Sequence, residues 1–373
     1  MRTDELDYEL PETAIAQTPI EPRDAARLLV DRGAGVLPED ATVAELPALL
    51  RPDDLLVVNE TRVLPARVAI RRESGSSGEV LLLEPLDEAV IEAAGGDERD
   101  HGWWKALCRP SRKLRVGEVV PAELGDLRFE IGEELGDGVR IVRPLHDGEL
   151  LDALEVAGVA PLPPYIHERL DDQERYQTVF AKQAGSAAAP TAGLHLTPAV
   201  LAGLADRGIE VATVDLVVGL DTFRPIGTER VEDHEIHSER YSVPYDTWDA
   251  VQTAQEDGRR VVAVGTTTVR ALESVGTLGQ LSGRTSLFIT PGFRFKIVDV
   301  MMTNFHLPRS SLLAMIEAFA GPHWRELYAT ALEREYRFLS FGDAMLLTRQ
   351  VVGPPSWTEP DGSGEQDVAG PTS

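Results

Sequence analysis

Arg259–Gly276 reads RRVVAVGTTTVRALESVG. The valine-rich run is a strand, Gly265-Thr266-Thr267 is a turn, and a helix follows with Arg270 in its first turns. In open α/β sheets ligands bind at the carboxyl ends of strands, which is where this turn falls. An ordinary threonine-capped helix would read the same way. Working outward, the same pattern recurs. Ile209–Gly219, IEVATVDLVVG, is a strand. Thr197–Gly208, TPAVLAGLADRG, is a helix with Thr197 as cap, Pro198 at its first position and Gly208 past its end. The span from Thr285 through residue 310 is again strand, turn, helix. Alternating strands and helices argue for an α/β domain.

The N-terminal third adds DDLLVVNETRVLPARVAI, Asp53–Ile70, two strands flanking a polar turn at Asn59, Glu60, Thr61 and Arg62. From about Val63 to Leu145 the pattern changes to short apolar runs between Gly, Asp and Glu turns, the mark of a small all-β barrel or sandwich. Gly148–Ile166, GELLDALEVAGVAPLPPYI, reads as a helix ended by prolines. The expectation is therefore an α/β chain. A large mixed α/β domain comes from residues 1–62 and 148–350, with a small all-β barrel-like domain, 63–147, inserted in it. The acidic stretch Asp87 to Gly102 reads as a long loop. The Gly-, Pro- and Ser-rich tail, 353–373, reads as disordered.

Composition narrows the class. The chain of 373 residues is 43% hydrophobic and 26% charged, ordinary for a folded protein. Its one cysteine, Cys108, excludes an internal disulfide and a cysteine metal cluster. No apolar stretch approaches the roughly 20 residues that span a bilayer, and the acidic N-terminus lacks a signal peptide's apolar core. A cytoplasmic monomer is the expectation. Sixty-two acids oppose 36 bases, a formal net charge of −26. That disfavours nucleic acid but leaves room for a local basic patch. The cations cluster at Arg62, Arg67, Arg71 and Arg72, then at Arg109, Arg112, Lys113 and Arg115. None of the four lysines follows a glycine, so there is no P-loop. No dinucleotide-binding glycine fingerprint, nucleophile elbow or zinc helix is present.

Five polar clusters fall in the α/β part. Gly185–Pro198 offers small residues for close backbone approach, among them Gly193, with Thr191 and His195 as polar tips. Asp233–Tyr241 carries His234, His237, Ser238 and Glu239. Its H-x-x-H spacing lacks a third metal ligand, so a polar ligand segment is preferred to zinc. Gly265–Ser274 carries Thr266, Thr267 and Arg270. Thr303–Gly321 packs Thr303, Asn304, His306, Arg309 and Ser310 just before an apolar helix that Ser310 or Ser311 caps. Tyr336–Leu347 places Ser340 and Asp343 before a short strand. Only two asparagines occur in the chain, Asn59 and Asn304, and both sit in such motifs. Several polar loops at strand ends of one domain point to one composite small-molecule pocket.

Taken together the segments LLVVNETRVLPAR, GSAAAPTAGLHLT, DHEIHSERY, VGTTTVRALES, PGFRFKIVDVMMTNFHLPRSSLLAMIEAFAG and YRFLSFGDAMLL resemble one family. It is the S-adenosylmethionine:tRNA ribosyltransferase-isomerase family of queuosine biosynthesis, and the matching segments run from about Leu6 to Thr348. The resemblance implies that S-adenosylmethionine serves as a ribosyl donor, with no metal. The acceptor is 7-aminomethyl-7-deazaguanine at the wobble position of a tRNA with a GUN-type anticodon. Epoxyqueuosine forms in the tRNA as adenine and methionine leave. The sulfonium acidifies the neighbouring C5′ protons, so a modest base can begin the reaction. It places catalysis on His195, His306 and Asp343. It places S-adenosylmethionine on Thr191, Gly193, Thr266, Thr267, Arg270, Thr303, Asn304 and Arg309, with Arg309 or Arg270 holding the methionine carboxylate. It places the tRNA on Asn59, Arg62, Arg67, Arg112, Lys113, His237 and Glu239. The chain departs from the common family pattern at Val217, where histidine is common, at Asp221, where glycine is common, and at Leu196, where phenylalanine is common. A divergent paralogue that only binds S-adenosylmethionine or tRNA, or a methyltransferase, is the alternative.

Overall fold

The structure is a computed structural model and describes residues 1–86, 102–219 and 225–350. Residues 87–101 of the acidic stretch, Asp221 and the tail 353–373 lie outside the described residues.

A nine-stranded sheet organises the α/β part. From one edge its strands are Ser282–Thr285, Glu239–Ser242, Glu210–Leu216, Leu55–Asn59, Val261–Val264, Val300–Asn304, Ala344–Thr348, Arg27–Val30 and Glu39–Thr42. The four from Glu210–Leu216 to Val300–Asn304 run parallel. Ala344–Thr348 runs antiparallel to the last of them, pairing Ala344 with Asn304. Leu55–Asn59, Val261–Val264 and Val300–Asn304 are buried at every position. This is the signature of strands covered on both faces, and it explains why they read as unbroken apolar runs.

Side chains alternate across the sheet. Leu55, Val57, Val261 and Ala263 enter one core with Val269, Leu272, Leu313, Ile316, Trp324 and Leu327. Leu56, Val58, Val262 and Val264 enter the other with Leu46, Val200 and Leu204. Helices Thr266–Leu278, Ser311–Ala320 and Trp324–Glu333 thus cover one face, and Pro198–Asp206 the other. The caps form as their residue types dictate. The hydroxyl of Thr197 accepts the Val200 amide, and that of Ser310 accepts the Leu313 amide, both at 3.2 Å.

A second, seven-stranded antiparallel sheet runs Gly158–Val159, Arg67–Arg71, Ser77–Pro85, Trp104–Arg109, Val139–Leu145, Arg128–Gly136 and Val119–Pro121. It curls until Ala122, just past its last strand, meets Ile70 in an antiparallel bridge. The Glu123 amide then donates to the Ala69 carbonyl at 2.8 Å. Its interior holds Val68, Ile70, Val80, Phe129, Ile131 and Val142, with Leu154 from the helix Leu150–Ala157.

Two local readings change. Thr61–Val63 is not a turn. It is a short strand parallel to Gln183–Ser186, leaving Glu60 alone between strands. The helix Leu150–Ala157 ends at Gly158 and not at the later prolines. A Cβ on Gly158 would lie 1.9 Å from the Pro65 carbonyl oxygen, so close chain approach sets the stop.

Candidate functional site

The carboxyl ends of Leu55–Asn59, Glu210–Leu216, Val261–Val264 and Val300–Asn304 meet the amino end of Ala344–Thr348. Here lies a cleft lined by Thr191, Thr266, Thr267, Thr303, Asn304, His306, Tyr165 and Ser340, among others. Each polar wall has a local cause. Gly265 takes φ +90°, a conformation glycine adopts without cost, and so turns the chain from strand into helix with Thr266 and Thr267 at the mouth. Their amides head the helix and lack an intrahelical acceptor.

Asn304 is the hub. Its side-chain carbonyl accepts the Thr191 hydroxyl at 2.9 Å, and its amide nitrogen reaches His195 Nε2 at 3.2 Å and the Asp343 carbonyl at 3.3 Å. His306 Nε2 is 3.0 Å from the Thr303 hydroxyl, and the His306 amide donates to the Tyr328 hydroxyl at 3.0 Å. The Tyr8 hydroxyl donates to the His306 carbonyl. Burial pushes His306 down to about 3. Burial, followed by Arg337, pushes His195 down to about 4. Both rings are neutral at neutral pH, so this wall offers hydrogen bonds without charge.

A second cavity continues from the first through Thr266, Thr267 and Leu312. It is lined by His234, His237, Glu239, Arg270 and Phe288, with others. Its charge is a buried pair: Arg270 Nη1 donates to Glu239 Oε2 at 2.5 Å, with the two side chains 8% and 7% exposed. A third and larger cavity shares His237 and Glu239 with the second. It lies between the two sheets, with Glu84, Pro85 and Lys105 on one wall and Val217, Arg240 and Arg284 on the other. Glu84 ties the walls together, bonding Lys105 at 2.7 Å and Arg284 at 3.0 Å. Burial would raise its carboxyl, but Lys105 and Arg284 outweigh that and hold it below the usual range. Val217 lines this third cavity.

The structure therefore sorts the sequence-derived residues. Thr191, Thr266, Thr267, Thr303, Asn304 and His306 share the first cavity, and His237, Glu239 and Arg270 the second. His195 stands behind Asn304. Gly193 packs toward Phe180 and Thr178. Asp343 is 1% exposed, and its two oxygens accept the backbone amides of Arg27 and Arg337 at 2.9 and 2.8 Å. Asn59 braces two strand ends through Leu216 and reaches the Thr267 hydroxyl at 3.3 Å. Arg309 is exposed and pairs with Asp7. Arg62 pairs with Glu174 and Arg67 with Glu79. Arg112 and Lys113 are exposed on the turn Ser111–Lys113 of the curled sheet.

Sequence reasoning missed Tyr165, whose hydroxyl lies 2.7 Å from that of Ser340 on the cleft wall, and the supports Tyr8 and Tyr328. Isolated tyrosines carry no spacing signal. Among the described residues no helix is long and apolar enough to cross a membrane, and no group of three or more metal-ligating side chains gathers.

Comparison with known proteins agrees with this architecture. Residues 3–347 match the family described as queuosine biosynthesis protein. A relative from Desulfitobacterium hafniense is 46% identical over 353 residues, covering 93% of this chain and all of the relative. One from Rubrobacter xylanophilus is 49% identical over 352 residues, covering 93% and 98%. Both are named S-adenosylmethionine:tRNA ribosyltransferase-isomerase. A crystal structure of S-adenosylmethionine tRNA ribosyltransferase from Thermotoga maritima is 37% identical, covers 92% of this chain and 99% of its own, and superposes with a TM-score of 0.51.

Proposed function

This chain belongs to the queuosine biosynthesis protein family of S-adenosylmethionine:tRNA ribosyltransferase-isomerases, and from that premise we propose which groups it joins and how. It moves the ribosyl part of S-adenosylmethionine onto 7-aminomethyl-7-deazaguanine at the wobble position of a tRNA with a GUN-type anticodon. Epoxyqueuosine forms in the tRNA, and adenine and methionine leave. S-adenosylmethionine is consumed as a co-substrate, and no metal is assigned a role.

The observation that carries this reading is the run of three connected cavities. The first, walled by threonines, Asn304 and a neutral His306, suits the hydroxyls and ring nitrogens of an adenosyl group. The third, open between the two sheets and edged by Lys105, Arg240 and Arg284, suits a base presented by an anionic RNA. His306 faces the first cavity as a neutral imidazole, weakly basic because burial disfavours its charged form, and it can hold the departing adenine by a hydrogen bond. His195 acts one step behind, by orienting Asn304. Asp343 holds the backbone of Arg27 and Arg337 with its carboxylate and meets Asn304 through its own main-chain carbonyl.

The test is a product assay. The protein is incubated with labelled S-adenosylmethionine and tRNA bearing the 7-aminomethyl base. Adenine and methionine appearing in step with modified tRNA support the reading. Release of S-adenosylhomocysteine would make the protein a methyltransferase, and binding without turnover would make it a binding module.

A further inference from the structure

The Glu239–Arg270 pair sits on the wall of the second cavity, almost wholly buried, and joins an arginine expected at the methionine carboxylate to a glutamate expected at the tRNA. Arg270 is incompletely satisfied. Its Nη1 donates to Glu239 Oε2 at 2.5 Å, and its Nη2 to the carbonyls of His237 and Thr285 at 2.9 and 3.2 Å. Its Nε is buried with no hydrogen-bond partner, on a residue only 7% exposed. A buried guanidinium N–H left unpaired is costly, so a ligand acceptor that reached it would relieve that cost. The same cavity is lined by Thr266 and Thr267, whose amides head a helix of 13 residues and are without intrahelical acceptors.

These donors suit a carboxylate, but the local charge argues against a simple anion. Glu239 lies within hydrogen-bonding distance of Arg270 and also accepts the Gly219 amide at 3.2 Å. A dianion such as phosphate would meet a buried carboxylate beside its main cation. A ligand end with both charges meets both complements. We propose that Glu239 and Arg270 form a zwitterion clamp. Arg270 Nε and the Thr266–Thr267 amides receive an α-carboxylate, and Glu239 receives the neighbouring α-ammonium. This rests on the reading of S-adenosylmethionine as co-substrate and fixes its direction. The amino-acid end lies in the second cavity. The adenosyl end lies toward Thr191, Asn304 and His306 in the first, and the sulfonium passes the Thr266–Thr267 helix head that the two cavities share.

The test compares ligands on the unmodified protein by calorimetry, so it does not depend on a variant folding. S-adenosylhomocysteine has both charges, its decarboxylated analogue only the amine, and 5′-methylthioadenosine neither. The clamp requires affinity to fall in that order, by roughly 10-fold or more for each charge removed. Glu239→Gln, checked for folding by circular dichroism, should erase most of the preference for the amine and leave 5′-methylthioadenosine binding unchanged. Equal affinity for all three compounds would overturn the clamp while leaving the adenosyl site intact, as would a Glu239→Gln protein that keeps the full preference. Binding of none of them would overturn the co-substrate reading and the clamp together.

Discussion

Asn304 presents its amide nitrogen to His195 Nε2 at 3.2 Å and to the Asp343 carbonyl at 3.3 Å. A carbonyl can only accept, so the nitrogen assignment at Asn304 is fixed, and Nε2 of His195 must accept too. The ring is therefore neutral and carries its proton on Nδ1. Asn304 then has only its carbonyl left for Thr191, at 2.9 Å. The Asp343 carbonyl thus sets the orientation of the amide, and the amide sets the protonation state of the histidine behind the cleft.

Acid should unlock this arrangement. His195 and His306 titrate near 4 and 3 in the folded protein, because burial disfavours their charged forms, against about 6.5 when exposed. Between those values the unfolded chain binds more protons than the folded one, so stability falls as pH drops below about 6.5. Each ring contributes up to about a tenfold change in the unfolding constant per pH unit. Denaturant titrations from pH 7 to 4 should show this slope, and His306→Asn should remove one proton's worth of it. An unchanged slope in that variant would refute the buried neutral ring.

Asp343→Ala should act on stability before chemistry. The carboxylate accepts two backbone amides, from Arg27 and Arg337, and bonds of this charged kind contribute on the order of 1.5–3 kcal/mol each. The melting temperature should drop by several degrees, while the protein that remains folded binds S-adenosylhomocysteine within about threefold of the original. Full stability with abolished turnover would instead put Asp343 at the reacting atoms.

Gly158→Ala tests the junction between the helix Leu150–Ala157 and the curled sheet. Its new methyl would sit 1.9 Å from the Pro65 carbonyl oxygen and 3.0 Å from that of Leu154. Backbone must move, so a loss of roughly 2 kcal/mol or more is expected in chemical unfolding. Wild-type stability would mean that the two chain segments do not approach this closely.

Arg112→Glu with Lys113→Glu tests the basic turn of the curled sheet, where both side chains are exposed. If they meet tRNA phosphates, affinity drops, and the slope of log affinity against log salt becomes shallower by roughly 0.7–0.9 per lost contact. Filter-binding titrations over a range of salt give both numbers. Affinity and slope identical to wild type would remove this turn from the tRNA surface.

The compact motif Thr303–Ser310 shows how far sequence reading reaches. Asn304 and His306 were legible as site residues because polar side chains crowd a strand end just before a capped helix, and Thr303, Asn304 and His306 do line one cleft. Arg309, only three residues on, takes φ +55° and turns out to Asp7. Proximity in sequence does not set side-chain direction once the backbone reverses.

By itself the sequence determined the elements whose causes are local. The apolar runs Leu55–Val58 and Val261–Val264 are strands because they must be covered on both faces. Thr197 and Ser310 cap helices because their hydroxyls reach the first free amides. The resemblance to one family was likewise carried by contiguous motifs. Tertiary structure alone decided who meets whom. Asn304 joins His195 across 109 residues and Asp343 across 39, while Arg270 finds Glu239 across 31. Those meetings follow from strand order in the nine-stranded sheet. Strand order is set by burying two apolar faces over the whole domain, and the periodicity of any one segment carries no record of which strand will lie beside it.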